Sequence, residues 1–280
     1  MLRTAGLRVL GPADLPAVTE ILSRDPVANV FVASRVEALG LEPRRLGGEM
    51  WGHVVDGRLS ALCHAGANLV PVEAGPDAVR AFADRARRQG RRCASIVGPR
   101  EMVAPMWDLL EPAWGPARDV RPDQPLMTTS APPLVPADPA VRRVRPDELD
   151  LLLPACIAMF TEEVGVSPTA GDGGAAYRSR VAELIAAGRS FARIQDGRVL
   201  FKAEVGSATG AACQVQGVWV PPELRGRGLS TGGMAAVVQA ALRDIAPVVS
   251  LYVNSYNAAA RAAYQRVGFA DRGSFMSVLF

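Results

Sequence analysis

Lysine is almost missing from this chain: Lys202 stands alone among 31 basic residues in a total of 280, all the others being arginine. Set beside the abundant alanine, this reads as coding bias rather than as a basic surface, and the net charge is only +3. No basic run is interleaved with aromatics, so nucleic acid is not an expected partner. Histidine is scarce as well, with only His53 and His64, and Cys63, Cys93, Cys156 and Cys213 are scattered without a C-x-x-C pair. That excludes the usual metal-ligand spacings, and the thiols read as reduced core residues of a cytoplasmic protein. Long hydrophobic runs are missing too. The longest apolar stretches are broken by Arg243, Asp244 and Pro247, and the N-terminus has no apolar signal-peptide core, so neither a membrane span nor export is expected. With 49% of residues hydrophobic, the chain can build one large domain or two of ordinary size.

The most informative stretch is Val218-Trp219-Val220-Pro221-Pro222-Glu223-Leu224-Arg225-Gly226-Arg227-Gly228-Leu229-Ser230, an apolar strand running into a basic, glycine-rich turn that opens a helix. Gly226 and Gly228 have no Cβ to obstruct a ligand, so consecutive backbone N–H groups can face an anion. The positive helix end and the guanidinium groups of Arg225 and Arg227 add favourable charge. The loop predicts a phosphate-bearing cofactor. A Walker A loop would end in Gly-Lys-Ser/Thr, and no lysine is present here. A dinucleotide fingerprint would put a third glycine where Thr231 stands, with an acidic residue about 20 positions on, and neither requirement is cleanly met.

A second motif follows in order. The β-type run Val248 to Val253 leads through Asn254-Ser255-Tyr256-Asn257 into the alanine-rich helical stretch Ala258 to Val267, closed by Gly268-Phe269. By themselves Asn257 is a good helix N-cap, Gly268 a good C′ residue and Tyr264 an ordinary core aromatic. Together the two stretches resemble motifs A and B of the GNAT superfamily of N-acetyltransferases. Arg225, Gly228 and Ser230 match R/Q-x-x-G-x-G/A, with serine in place of the final small residue. Asn257, Ala260, Tyr264, Gly268 and Phe269 match the helix pattern of motif B.

The Pro-rich segment Thr128 to Pro139 divides the chain, and the halves echo each other. Val9 to Leu15 is echoed by Val144 to Leu149, and the turn Asp56-Gly57 by Asp196-Gly197. Ser95 to Gly98, a helical stretch and Ala113-Trp114-Gly115 are echoed by the last strand, helix and Gly268-Phe269. The expected organisation is an α/β protein of two tandem GNAT-like domains, each a mixed, mostly antiparallel sheet flanked by helices. Residues 1–127 form the first, 128–139 the linker and 140–280 the second. Where the first should carry its phosphate loop it reads Val72-Glu73-Ala74-Gly75-Pro76-Asp77-Ala78, with two acids and no arginine-glycine repeat, so it is expected to lack that loop. Trp51, His53 and His64 are expected to be packed or hydrogen-bonded rather than catalytic.

The resemblance implies acetyl-CoA as cosubstrate, no metal, and attack by a primary amine of a small molecule or protein. It implies that Gly226, Gly228, Arg225, Arg227, Ser230 and Thr231 hold the pyrophosphate and that the backbone of Val218 and Val220 serves the oxyanion and the pantetheine arm. Asn257 joins the cofactor site, and Tyr264 protonates the leaving thiolate. A bulge at Gln216-Gly217 would open the sheet for the arm. The base is less defined. Gln214 and Gln216 stand where some members carry glutamate and cannot accept a proton, which leaves Glu204, or Glu162 and Glu163, acting through water. A solvated helix end is an equal reading of the Glu162-Glu163 pair. A non-catalytic acyl-CoA-binding or sensing protein is the alternative function, and a homodimer is compatible with either.

Overall fold

In a computed structural model of the chain, residues 5–170 and 173–280 are described. They form two compact units, each described by itself.

The N-terminal unit comprises residues 5–126 together with 252–255 and 272–280. Its elements are β1 (Ala5–Val9), α1 (Leu15–Leu22), α2 (Val30–Leu39), α3 (Pro43–Leu46), β2 (Gly48–Val55), β3 (Arg58–Gly66), β4 (Asn68–Val72), α4 (Pro76–Gln89), β5 (Ser95–Pro99), α5 (Arg100–Trp114) and β6 (Asp119–Thr129). Asp56 and Gly57 sit at φ 49° and 78°, which closes the β2–β3 hairpin with the twist its strands require. β4 and β5 run parallel but pair only at Asn68↔Ser95 and Leu69↔Ile96. One apolar core packs Phe82, Val103, Met106 and Leu110 of α4 and α5 on Trp51 and Ile96, and a second packs α1 and α2 on Met50, Leu62 and Val72.

The C-terminal unit comprises residues 127–251 and 256–271. Its elements are β7 (Val141–Arg143), α6 (Leu149–Val164), α7 (Ala175–Ala186), β8 (Ser190–Gln195), β9 (Arg198–Ala208), β10 (Cys213–Trp219), α8 (Leu229–Asp244), β11 (Val249–Tyr252) and α9 (Ala258–Val267). The strands lie in the order β11-β10-β9-β8-β7, antiparallel except for the β10–β11 pair. β9 is buried on both faces, because helices cover both. Phe201 fills the space left by the missing side chain of Gly233 on α8, where a Cβ would fall 2.7 Å from its ring, while Lys202 on the opposite face reaches Cys156 of α6. On α8, Met234, Val237, Val238 and Ala241 form the buried stripe that their three- and four-residue spacing predicts.

The remaining strand, β12 (Ala270–Leu279), departs from the expected division into halves. It follows α9 directly, yet its residues 272–279 belong to the N-terminal unit, where they pair antiparallel with β5 from Phe275↔Pro99 to Leu279↔Ser95. Its alternation puts Met276 and Val278 into the core beneath α5. The physical reason is the open edge of β5, whose partner β4 is used up after two residues on its other side. The proline-rich segment is pinned rather than loose: Leu134 N–H donates to Val267 O, Asp138 N–H to Gly232 O, and Arg193 pairs with Asp138 at 3.0 Å.

Because β12 completes the sheet of the N-terminal unit, Val278→Ala is expected to cost about 2 kcal/mol. Hydrogen exchange should show the lost protection at residues 95–99, with α8 and β9 unaffected.

Candidate functional site

The site starts from a failure of pairing. β10 and β11 are hydrogen-bonded only at Cys213↔Val249 and Gln214↔Ser250, after which they separate. On its other side β10 slips one residue against β9, between Gln216↔Glu204 and Trp219↔Lys202, which is a β-bulge at the place expected from the Gln216-Gly217 pair. Gly217 takes φ +60°, and a Cβ there would lie 3.1 Å from both Lys202 Nζ and Met159 Cε, so only glycine suits the position. Beyond Gln214 the β10 backbone, including Val218, is left without a β11 ladder on its open side, and Val220 follows directly past the end of the strand.

At the end of β10 a short 3-10 turn, Pro222–Leu224, hands the chain to the glycine loop. Gly226 and Gly228 adopt φ +74° and +78°, and a Cβ on either would meet nothing within 4 Å. Their glycines answer to backbone conformation, and the space above them is open. Gly228 is the N-cap of α8, and its carbonyl accepts from the Thr231 and Gly232 N–H groups, which leaves the preceding amides without intrahelical acceptors. Ser230 and Thr231 are half-buried in this first turn, and Arg227 is exposed with no ion pair among the described residues.

Arg225 is already occupied. Its Nε donates to Val220 O at 3.1 Å and its Nη2 to Glu162 Oε2 at 2.7 Å, an oxygen that Trp219 Nε1 also approaches at 3.4 Å. The bond from Arg225, opposed by partial burial, holds the Glu162 carboxyl below its ordinary range. Asn257 caps α9, its Oδ1 accepting from Ala260 N–H at 3.1 Å. Tyr264, on the same helix, is buried edge-on to Phe269. Burial, with the negative charge of Glu163 close by, pushes its phenol well above the ordinary value, so it stays protonated.

Glu204 lies in a cluster that spacing alone did not reveal. Its Oε2 accepts from Lys202 Nζ at 3.2 Å and its Oε1 from Gln216 Nε2 at 3.0 Å, while Lys202 also reaches Cys156 Sγ at 3.4 Å. Burial alone would push the Lys202 ammonium down, but Glu204 and Cys156 outweigh it and hold it up, charged. The available signal was compositional: the one lysine sits two residues from a glutamate on a strand.

The structure therefore brings the loop residues 225–231, Val218 and Val220 to one mouth. It brings the charge of Glu163 within electrostatic reach of Tyr264, ties Glu162 to the loop and commits Glu204 beneath the bulge. In the N-terminal unit the corresponding turn is closed differently. Glu73 stands at φ +52°, Ala74 N–H is taken by Met102 Sδ at 3.4 Å, and α4 opens on Pro76 and Asp77. Trp51 donates to Glu49 at 2.6 Å and His53 bonds to Ser60 at 3.0 Å, while His64 is buried, its pKa pushed down to about 4 by burial and Arg35. All four cysteines are buried and unbridged. Among the described residues no group of three His, Cys, Asp or Glu is placed to hold a metal, and no helix is long and apolar enough to cross a membrane.

A mixed sheet whose parallel pair splays beside a glycine loop at a helix start is the GNAT architecture, here present in tandem. Residues 180–269 match the acetyltransferase (GNAT) family, and residues 48–152 match a domain of unknown function (DUF4081). Among solved structures, the chain is similar to a tandem GNAT protein from the clavulanic acid biosynthesis pathway, with 16% identity, TM-score 0.59, and coverage of 99% of this chain and 98% of that one. It is also similar to an acetyltransferase of the GNAT family from Colwellia psychrerythraea (13%, TM-score 0.56, 98% and 99%) and to a GCN5-related N-acetyltransferase from Sphaerobacter thermophilus (19%, TM-score 0.56, 98% and 95%). These likenesses concern the fold. No curated protein matches the sequence.

Since Gly226 and Gly228 are held in the left-handed region, Gly226→Ala and Gly228→Ala are each expected to cost about 1 kcal/mol from backbone strain alone, read as a lowered thermal midpoint of the ligand-free chain.

Proposed function

We propose that the C-terminal unit transfers an acetyl group from acetyl-CoA to a primary amine, by direct attack while both are bound. The observation that carries this reading is the two-residue β10–β11 pairing that opens beside the Gly217 bulge, with the glycine loop at its mouth. The donor set fits a pyrophosphate: successive loop amides, the start of α8, the exposed Arg227, and an Arg225 that already holds a carboxylate oxygen as it would a phosphate oxygen. Arg225, Gly226, Arg227, Gly228, Ser230 and Thr231 would hold the phosphates, and the backbone of Val218 and Val220 the pantetheine arm. Asn257 spends its amide oxygen on the α9 cap and keeps its NH₂ for the same arm.

Acetyl-CoA supplies an activated thioester, and the chain must steady the oxyanion and move two protons. The Val218 N–H serves the oxyanion, and Tyr264, kept protonated, serves the leaving thiolate. Of the three candidate bases, Glu204 has both oxygens engaged and Glu162 is held low by Arg225. We assign the role to Glu163, acting through water, because its charge is felt at Tyr264, the proposed acid. The exposed Glu162 and Glu163 favour a cationic amine, from a small molecule or a protein. The N-terminal unit, with Glu73 and Asp77 at its turn, is assigned no cofactor. The engagement of Glu204 and Glu162 favours one second reading, an acyl-CoA sensor without turnover. Release of free CoA in the presence of any amine excludes it.

Calorimetry on the full chain is expected to give acetyl-CoA binding that Gly228→Glu abolishes; no binding by folded wild type would sink the acetyltransferase reading. Tyr264→Phe is expected to lower kcat about a hundredfold with the KM for acetyl-CoA unchanged. Because the phenol is shifted upward, the wild-type rate should show no alkaline loss from Tyr264 below pH ~10. A variant as fast as wild type would remove Tyr264 from the chemistry.

A further inference from the structure

We infer that Gln216 is the residue that positions the attacking amine, mounted on Glu204, Lys202 and Gly206; this rests on the acetyl-transfer reading above. Residues 202 and 204 share one face of β9, and Gly206, left unpaired by a second bulge between Ser207↔Gln214 and Val205↔Val215, lies against the same Gln216 side chain. Lys202 and Glu204 are 1% and 7% exposed, an ion pair sealed under the sheet surface. Gln216, their neighbour on β10, is exposed and lies across Gly206: a Cβ on Gly206 would fall 2.2 Å from both Cδ and Oε1 of Gln216. Only a glycine at 206 lets the amide lie there.

The orientation of that amide follows from chemistry. The Glu204 carboxyl accepts from the Lys202 ammonium at 3.2 Å through one oxygen and offers its other oxygen to Gln216, so the NH₂ end of Gln216 faces it at 3.0 Å. The amide oxygen therefore points away, and it has no partner among the described residues. A fixed, exposed acceptor results. Its position is specific: Gln216 lies two residues past the last β10–β11 pair and one before the bulge, on the far side of Val218 from the glycine loop. A thioester anchored at the loop and running back along β10 brings its acyl end to this side chain.

The substitution of amide for carboxylate has a consequence. A carboxylate would hold the acceptor as its ammonium ion, the form that cannot attack. The amide oxygen takes an N–H from a neutral amine with no charge term favouring protonation, and Lys202 cancels the field of Glu204 behind it. Gln216 thus orients the free base, while Glu204 and Lys202 act as positioning residues through it.

The experiment measures free thiol released from acetyl-CoA by the full chain with putrescine, tyramine, glucosamine and a peptide bearing a free N-terminus. Two variants are compared. Gln216→Leu removes the acceptor, and Gly206→Ala evicts the amide sterically while leaving the Lys202–Glu204 pair in place. Because the crowding atoms belong to the end of a flexible side chain, Gly206→Ala should fold as wild type. For the best amine of the panel both variants are expected to raise the amine KM roughly tenfold, with the KM for acetyl-CoA unchanged. An amine KM unmoved in folded Gly206→Ala, or equal losses in both KM values, overturns the inference and leaves the acetyl-transfer reading intact. Wild type that binds acetyl-CoA yet acetylates no amine overturns both.

Discussion

The parallel contact between β10 and β11 lasts for two residue pairs, and the chemistry proposed for this chain depends on its ending there. Had the ladder continued, the backbone of Val218 and Val220 would be satisfied within the sheet and unavailable to a ligand. The bulge at Gly217 redirects β10 and is made possible by a left-handed residue, at which a side chain would be strained and would press on the ends of Lys202 and Met159. The open strand leads to the glycine loop, the loop starts α8, and Arg225 ties the loop back to Val220 O and to Glu162 on α6.

The N-terminal unit keeps the same early end of pairing between β4 and β5 without the anion cradle. Its turn directs the Ala74 amide to the Met102 sulfur, and its helix begins with a proline that has no N–H and an acid that repels phosphate. One fold therefore appears with two surface chemistries, and a few turn residues separate them. The sheet geometry alone carries no function here.

The buried Lys202–Glu204 pair shows how far a local reading can go. Glu204 was a reasonable candidate base because it is a carboxylate on a central strand, and burial is what raises such a group toward catalysis. Its two oxygens are both hydrogen-bonded, by Lys202 from two residues away and by Gln216 from the next strand. The same holds for Glu162, whose charge is drawn to Arg225 from 63 positions along the chain. Asn257 is the converse case. Its capping role was legible from local sequence and appears unchanged, since a cap bond spans only three residues.

What the sequence by itself determined is what short-range geometry governs: both Asp-Gly hairpins, the buried stripe of α8, the glycine loop at a helix start, the N-cap of α9 and the placing of the bulge at Gln216-Gly217. Each depends on steric limits at one residue or on a helical or strand repeat. Only the tertiary structure decided which carboxylates are engaged, that the lone lysine lies under the site, and that β12 completes the sheet of the N-terminal unit. Those outcomes are competitions among distant partners for one charge or one sheet edge. The alternation of β12 suits any edge equally, and the edge left open by β5 settled where it went.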